Sequence, residues 1–182
     1  MRYFFDTEFN EEVDPIDLIS IGIIADDGRE FYAIHDKYHS DEPGEEAEVW
    51  KTAHKWVNKN VKTVIKAPEG FKEEDVIIGD YAAIANAVRD FVGYDPFPEF
   101  WAYYGHYDWV LMCRLFGTMQ DKPDTWPSMC FDLKQYAKHT GMDLPRKFEP
   151  VHNALVDARW TKYSHEYIRA RWRKNQDVIK WP

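Results

Sequence analysis

The chain has 182 residues, of which 45% are hydrophobic and 16% aromatic, and this is enough for the core of one folded domain. Its formal net charge of −9 argues against a passive nucleic-acid binder, which usually presents a basic face, but not against an enzyme whose acids hold metal ions. No apolar run reaches the ~18–20 residues of a membrane helix, the first residues lack a secretory signal, and Cys113 and Cys130 are too few for a disulfide framework. We therefore expect one cytoplasmic domain, residues 1–182, with no membrane partner.

The N-terminal part predicts three antiparallel strands. Residues 2–8 form a short apolar run that ends in charge, residues 17–25 are almost continuously apolar, and residues 29–35 follow the turn sequence D-D-G at 26–28. A run that is apolar throughout is typical of a central strand with both faces buried. The chain should therefore open with a β-meander whose middle strand lies inside the sheet.

The rest of the chain predicts mainly helices. In order, we predict a helix at 46–59, an irregular segment at 60–79, a helix from an Asp80 cap to about 93, a strand at 99–104, a helix at 107–116, a loop at 121–129, a helix at 132–140, a loop at 142–151 and a helix at 153–174. Three antiparallel strands followed by strands connected through helices predict an α/β fold with a mixed sheet flanked by α-helices.

Two acids close the first predicted strand. Asp6 and Glu8 are two residues apart, so in a regular strand both carboxylates project from the same face. A pair of Mg²⁺ or Mn²⁺ ions, roughly 3.5–4 Å apart, repel each other and need several anionic oxygens between and around them. For this pair alone, a strand end turning into solvent is the favoured alternative.

A third acid lies at the next predicted strand-to-helix junction. Asp108 follows Gly105 by three residues, and ligands of α/β sheets gather at the carboxyl ends of strands. The position suits a metal ligand, and it suits equally well an acid that complements the helix dipole.

The last pair is a histidine and an acid five residues apart. On one helix, His152 and Asp157 would differ in direction by roughly 140° and could not face one site. They can converge if His152 lies in the loop before a helix capped by Asn153, with Asp157 in the second turn. A loop histidine with a near-neutral pKa is suited to act as a general base. A histidine near a helix cap and a surface aspartate are the alternative, which the spacing does not exclude.

In this order, the segments D-T-E-F, G-H-Y-D and H-N-A-L-V-D-A resemble the three motifs of the DnaQ-like exonucleases of the DEDDh type, which have an RNase H-like fold. The chain is most similar to the mycobacterial-type 3′→5′ exoribonucleases, and the similarity covers residues 1–34 and 99–160. The resemblance implies an enzyme that uses two Mg²⁺ or Mn²⁺ ions, degrades single-stranded RNA to nucleoside 5′-monophosphates and forms a homodimer.

The resemblance also implies a role for each motif residue. Asp6 would bridge both metals, and Asp157 would hold the metal of the attacking water. Glu8 would share that metal and meet the terminal 3′-OH. Asp108 would hold the second metal, and His152 would take the proton from the water.

Two positions decide how well the motifs match. Asn153 stands four residues before Asp157, where the alternative subtype has a tyrosine, so the chain fits the histidine subtype. His106 and Tyr107 depart from the usual second motif, which leaves the partners of Asp108 open.

Contacts to the nucleic acid are less specific. Phe9 is a candidate for stacking on a base, although core packing explains it equally well. Trp56 and Tyr107 are weaker candidates, and for Trp56 we favour the helical core. The basic cluster Arg169, Arg171, Arg173 and Lys174 could contact phosphates, but a solvated helix end explains it better.

Three other functions remain open. No motif reads a 2′-OH, so a DNA exonuclease of the proofreading or repair type is the alternative within the same chemistry. A non-catalytic binding module on the same fold and a structural α+β domain with coincidental acids are the others. The presence of all five residues expected of a catalytic DEDDh site counts against the binding module and against the structural domain.

Overall fold

A mixed β-sheet forms the centre of the protein. The structure, a computed structural model, describes residues 1–11, 16–40 and 45–178, and side chains as far as residue 172. The described strands are β1 (Arg2–Asn10), β2 (Asp17–Ala25), β3 (Glu30–His35), β4 (Ile77–Gly79), β5 (Glu99–Ala102) and β6 (Phe131–Asp132), in the spatial order β4-β3-β2-β1-β5-β6. The first three are antiparallel and the others pair in parallel, which confirms the predicted α/β fold.

Helices cover both faces of this sheet. They are α1 (Lys55–Asn60), α2 (Tyr81–Val92), α3 (His106–Leu115), α4 (Leu133–Thr140) and α5 (Ala154–Val178). α5 packs across β1 and β2 on one face, while α2 and α3 bury the other face with side chains such as Phe5 and Phe100. The predicted Asp80 cap is confirmed, because its carboxylate accepts a hydrogen bond from the Ala83 amide at 2.8 Å.

The region between β3 and α2 differs from the prediction. Instead of one helix at 46–59, the chain forms a 3₁₀ turn at Glu48–Lys51 and then α1. His54 separates the two, because its backbone is extended and its Nδ1 accepts the Trp56 amide as the N-cap of α1. The segment at 60–79, predicted to be irregular, contains the short strand β4.

One further boundary and the exposure of one side chain also differ from the prediction. The predicted strand at 99–104 ends at Ala102, and Tyr104 takes a left-handed backbone conformation (φ 59°) as the chain turns into α3. The apolar pattern of residues 153–174 predicts Tyr163 on the core face of α5, but its side chain is 47% exposed, and residues such as Leu155 and Ala158 form that face.

One glycine sets the distance between α5 and the sheet. Gly22 of β2 pairs with Asp6 of β1, and a Cβ built on it would lie 2.3 Å from the backbone nitrogen of Leu155. Only a residue without a side chain permits this approach. The N-terminal end of α5 therefore lies directly over the acidic end of β1.

Among the described residues, no helix combines the length and the apolar character needed to cross a membrane.

A buried histidine on α5 should make stability depend on pH. His165 is 4% exposed, is surrounded by the rings of Phe4, Trp101 and Tyr136, and its Nδ1 has no hydrogen-bond partner among the described residues. Burial, together with the charges of Arg2 and Arg169, lowers its pKa to about 4. A base whose pKa is lowered on folding is favoured in its neutral form in the native state, so its contribution to stability is fully present above the unfolded-state pKa and is lost as the pH falls towards the folded-state pKa.

We therefore expect His165 to weaken folding as the pH falls from the unfolded histidine pKa of about 6.5 towards 4, by about 2 kcal/mol at pH 5. The measurement is urea unfolding of the wild type and of His165→Phe from pH 8 to pH 5, taken as the difference between the two proteins. A difference that does not change with pH would contradict this expectation.

Candidate active site

A cleft of about 680 Å³ lies at the carboxyl end of β1. All five predicted catalytic residues line it, namely Asp6, Glu8, Asp108, His152 and Asp157. They come from β1, from α3, and from the loop before α5 and the first turn of that helix, so residues separated by up to 151 positions converge on one site. Its remaining walls are formed by Thr7, Phe9, Glu11, His54, Trp56, Val57, Tyr103, Tyr104, Tyr107 and Lys147.

The two strand acids lie on the face of the sheet that α5 covers. Asp6 is opposite Gly22, the residue under the N-terminal end of α5. Glu8 is 7% exposed, and the register of β1 against β2 shifts directly after it. The two-residue spacing predicted that both carboxylates project from the same face of the strand, and both do reach the same cleft.

Asp108 is fixed by the residue between the two strand acids. The amide and the hydroxyl of Thr7 both donate to Asp108 Oδ1, at 2.8 and 2.6 Å. Thr7 thereby supplies the direct partners that the sequence had left open. Asp108 is 6% exposed, so this hydrogen-bonded pair links α3 to β1 inside the protein.

The predicted arrangement of the third motif is present. His152 lies in the loop before α5 with a left-handed backbone (φ 66°), and Asn153 caps the helix by accepting the Val156 amide at 3.2 Å. The Asn153 amide group also donates to the carbonyls of Val64 and Lys66, at 2.8 and 3.0 Å. Asp157 belongs to the first turn of α5 rather than the second, because its amide bonds to the Asn153 carbonyl.

Each carboxylate oxygen of Asp157 has a partner. Lys147 Nζ lies 2.9 Å from Oδ1, and the His152 amide donates to Oδ2 at 3.0 Å. The imidazole Nδ1 of His152 is 4.0 Å from Glu8 Oε1. Potential ligand atoms of Glu8, His152 and Asp157 all lie within 4.8 Å of one another, and a set of this size and charge suits a hard divalent cation such as Mg²⁺ or Mn²⁺.

Three of the four carboxylates, those of Asp6, Glu8 and Asp108, have a raised pKa. Burial is the largest cause in each case, and repulsion from the neighbouring carboxylates adds to it for Asp6 and Glu8. The pKa of Asp6 rises well above its usual value and that of Glu8 rises to about 8. The pKa of Asp108 rises to about 6, against the lowering effect of the Thr7 hydrogen bonds. Lys147 opposes all three shifts, so the site needs positive charge to hold its acids ionised.

His152 has the opposite shift. Burial lowers its pKa below the usual 6.5, against the raising effect of the Asp157 carboxylate. The neutral imidazole therefore dominates at neutral pH, which is the form that can accept a proton.

Aromatic side chains line the mouth of the cleft. Phe9 is half-buried against the core and its ring stacks on Tyr107 with 5.5 Å between the centroids. Its stacking on a base stays a prediction. The core interpretation of Trp56 is wrong. Its side chain is 49% exposed and meets the His152 ring edge to face at 4.8 Å, because α1 begins at Lys55 and buries Val57 instead.

The basic cluster on α5 is described only in part. Arg171 is exposed and its guanidinium lies 3.5 Å above the Tyr167 ring, while Arg169 is half-buried. The side chains of Arg173 and Lys174 lie outside the described residues. Arg169 and Arg171, the two whose side chains are described, do not line the cleft.

Sequence reasoning missed two residues of the site. Thr7 lies inside the first motif, and a hydroxyl between two acids is the signal that could have suggested it. Lys147 carried no signal, because a single lysine in a polar loop has no distinctive spacing.

Comparison with known proteins finds one family and two relatives that the chain is similar to. Residues 1–169 match the model of a family described as the 3′-5′ exoribonuclease Rv2179c-like domain. The chain is also 35% identical over 164 residues to the 3′-5′ exoribonucleases Rv2179c and MT2234.1 of two Mycobacterium tuberculosis strains, H37Rv and CDC 1551. Each alignment covers 87% of this chain and 88% of the relative.

Proposed function

The chain belongs to the Rv2179c-like 3′-5′ exoribonuclease family, and from this we propose that residues 1–182 form one DEDDh-type domain that degrades single-stranded RNA from its 3′ end. The observation that carries the proposal is the convergence of Asp6, Glu8, Asp108, Asp157 and His152 in one cleft. The product would be a nucleoside 5′-monophosphate, released by hydrolysis of the terminal phosphodiester.

The acids would hold two Mg²⁺ or Mn²⁺ ions. We assign Asp6 to both ions, Glu8 and Asp157 to one, and Asp108 to the other. The donor set supports this assignment, because buried carboxylates with raised pKa values call for cations. When bound, the ions would supply Lewis acidity and a water of lowered pKa.

His152 would act as the general base. Its loop position leaves the ring able to reach a water in the cleft, and its lowered pKa keeps the ring neutral at pH 7. The Asp157 carboxylate accepts a hydrogen bond from the His152 backbone amide and so fixes the end of the loop that carries the imidazole. Proton removal by a positioned side chain typically contributes 10²–10⁴-fold to a rate.

Recognition of the 3′ end would fall to Glu8 and Phe9. Glu8 would meet the terminal 3′-OH, and the exposed edge of the Phe9–Tyr107 stack at the cleft would pack against the terminal base. Stacking on an aromatic ring tolerates any base and contributes ~1–3 kcal/mol. This explains how an acidic protein could bind a short strand end without a basic face.

The test is degradation of matched 5′-labelled single-stranded RNA and DNA, with Mg²⁺, with Mn²⁺ and with EDTA. Stepwise shortening of RNA that EDTA abolishes is the expected result. Equal or faster shortening of DNA would favour the alternative of a proofreading or repair exonuclease. Binding without cleavage under both metals would favour a non-catalytic module. Sedimentation of the same preparation tests the homodimer, which stays a prediction.

His152→Ala should lower the cleavage rate about a hundredfold and change its pH dependence. In the wild type, activity should fall as the pH drops through the His152 pKa, which lies below 6.5, because protonation removes the base. The variant should lack this acidic limb. Single-turnover rates from pH 5 to pH 8 at saturating Mn²⁺ measure both effects. His139→Ala, an exposed histidine on α4, is the control and should keep the wild-type profile.

A further inference from the structure

Lys147 is placed among the acids in an unusual way. Its Nζ forms an ion pair with Asp157 Oδ1 at 2.9 Å, and its side chain is 32% exposed in the wall of the cleft. The ammonium also lies over the rings of Tyr103 and Trp160, 5.4 and 5.2 Å from their centroids. Two aromatic faces and one carboxylate therefore hold this cation at the edge of the site.

The charges around Lys147 explain why a cation is needed there. The cleft is lined by four carboxylates, those of Asp6, Glu8, Asp108 and Asp157. Among the described residues, Lys147 is the only lysine or arginine that lines the same cleft. A buried carboxylate without a counter-charge is costly, so this one ammonium stabilises the cluster when no other cation is present.

Lys147 and a metal ion would compete for Asp157 Oδ1, because two positive charges held at one carboxylate oxygen repel each other. Its Oδ2 is held by the His152 backbone amide, which is fixed by the start of α5. Its Oδ1 is held by the end of a flexible lysine side chain. The lysine is the partner that can leave, because a backbone amide cannot move without moving the helix.

We infer that Lys147 is the resident counter-cation of the metal-free site, and that a divalent ion must displace it from Asp157 in order to bind. This inference rests on the proposed function, since it takes Asp157 as a metal ligand. Lys147 is thus a positioning residue: it keeps Asp157 in place before metal binding and weakens the affinity for the metal.

The test measures Mn²⁺ binding by calorimetry and thermal unfolding in EDTA, neither of which needs catalysis. Lys147→Met keeps the aliphatic stem and removes the charge. It should bind Mn²⁺ about tenfold more tightly, because a repelling charge beside the ligand is gone. In EDTA it should unfold at a temperature a few degrees lower, because the acids lose their counter-cation. A merely structural lysine would lower the unfolding temperature without tightening metal binding.

Two further variants complete the series. Lys147→Arg should bind Mn²⁺ more weakly than the wild type, because a guanidinium holds a carboxylate through two parallel hydrogen bonds. The comparison of Mn²⁺ affinity between Lys147→Arg and the wild type tests the inference even if Lys147→Met fails to fold. Lys62→Met is the matched control: Lys62 is 25% exposed, pairs with Glu46 and lies over Trp50, away from the cleft, so its loss should leave Mn²⁺ affinity unchanged.

The failures are distinguishable. If Lys147→Met binds Mn²⁺ as the wild type does, or more weakly, the role assigned to Lys147 is wrong while the proposed function stands. If the wild type binds no Mn²⁺, the metal-dependent function fails, and the inference fails with it.

Discussion

An Asp6→Asn variant is expected to lose RNA-degrading activity by about 10³-fold or more, and yet to be more stable than the wild type in the absence of metal. The loss follows because Asp6 is assigned to both ions, and a metal site supplies several kcal/mol of transition-state stabilisation. The gain follows because burial and the charges of Asp108, Asp157 and Glu8 raise the Asp6 pKa, so its ionised form opposes folding.

The sign of the pH dependence is fixed by that shift. A carboxyl group whose pKa is raised on folding contributes stability at low pH and loses it as the pH rises through its folded-state pKa. The neutral amide of Asn has no such loss. In EDTA, the unfolding temperature of Asp6→Asn should therefore exceed that of the wild type by about 5 °C, and the difference should grow with pH.

The measurements are the end-labelled RNA assay and thermal unfolding in EDTA between pH 6 and pH 9. Asp17→Asn is the control, since Asp17 is equally an acid of the sheet but accepts the Tyr38 hydroxyl at 2.5 Å outside the cleft. It should lose stability and keep activity in the folded protein, the reverse of Asp6→Asn. Activity within tenfold of the wild type, or a lower unfolding temperature in EDTA, would argue against Asp6 as a shared metal ligand.

The convergence of the candidate acids in one cleft could be predicted from the sequence, because each acid lies in a motif that is local in the chain. The spacing of Asp6 and Glu8 fixes a shared strand face, and the cap at Asn153 fixes how His152 and Asp157 can converge. The contact between Thr7 and Asp108 spans 101 positions, and no local pattern reports a hydrogen bond of that range. Lys147 lies within ten positions of Asp157 but in an irregular loop, where periodicity has no meaning.

Most of the fold was also predictable from local patterns in the sequence. The errors of that prediction have physical causes. Strands β1 to β3 are long enough for an apolar pattern, whereas β4 has three residues and owes its existence to pairing with β3. Trp56 fits the apolar periodicity of a helix that starts at 46. That periodicity fails because His54 restarts the helix and changes which residues face the core.

The close packing of Gly22 against α5 gives the largest expected effect on stability. A Cβ at this position would lie 2.3 to 2.4 Å from Leu155 N, Ala154 C and Leu155 Cα. These are backbone atoms of a helix, so no side chain can rotate to make room and α5 itself must move. We expect Gly22→Ala to destabilise the protein by about 3 kcal/mol or more, a fall of roughly 6–12 °C in unfolding temperature.

The same displacement should reach the active site. His152 lies just before α5 and Asp157 lies in its first turn, so a shift of the helix moves the proposed base and a proposed metal ligand together. Misplacement of catalytic groups by about 1 Å can lower a reaction rate 10²-fold. We expect Gly22→Ala to lose at least that much activity at a temperature where circular dichroism shows the variant folded.

Gly141→Ala is the control: its φ of 67° strains an alanine, but nothing lies within 4 Å of the added Cβ. That variant should lose only about 1 kcal/mol of stability and retain its activity. Wild-type activity in Gly22→Ala would mean that the approach of α5 to β2 does not set the geometry of the site.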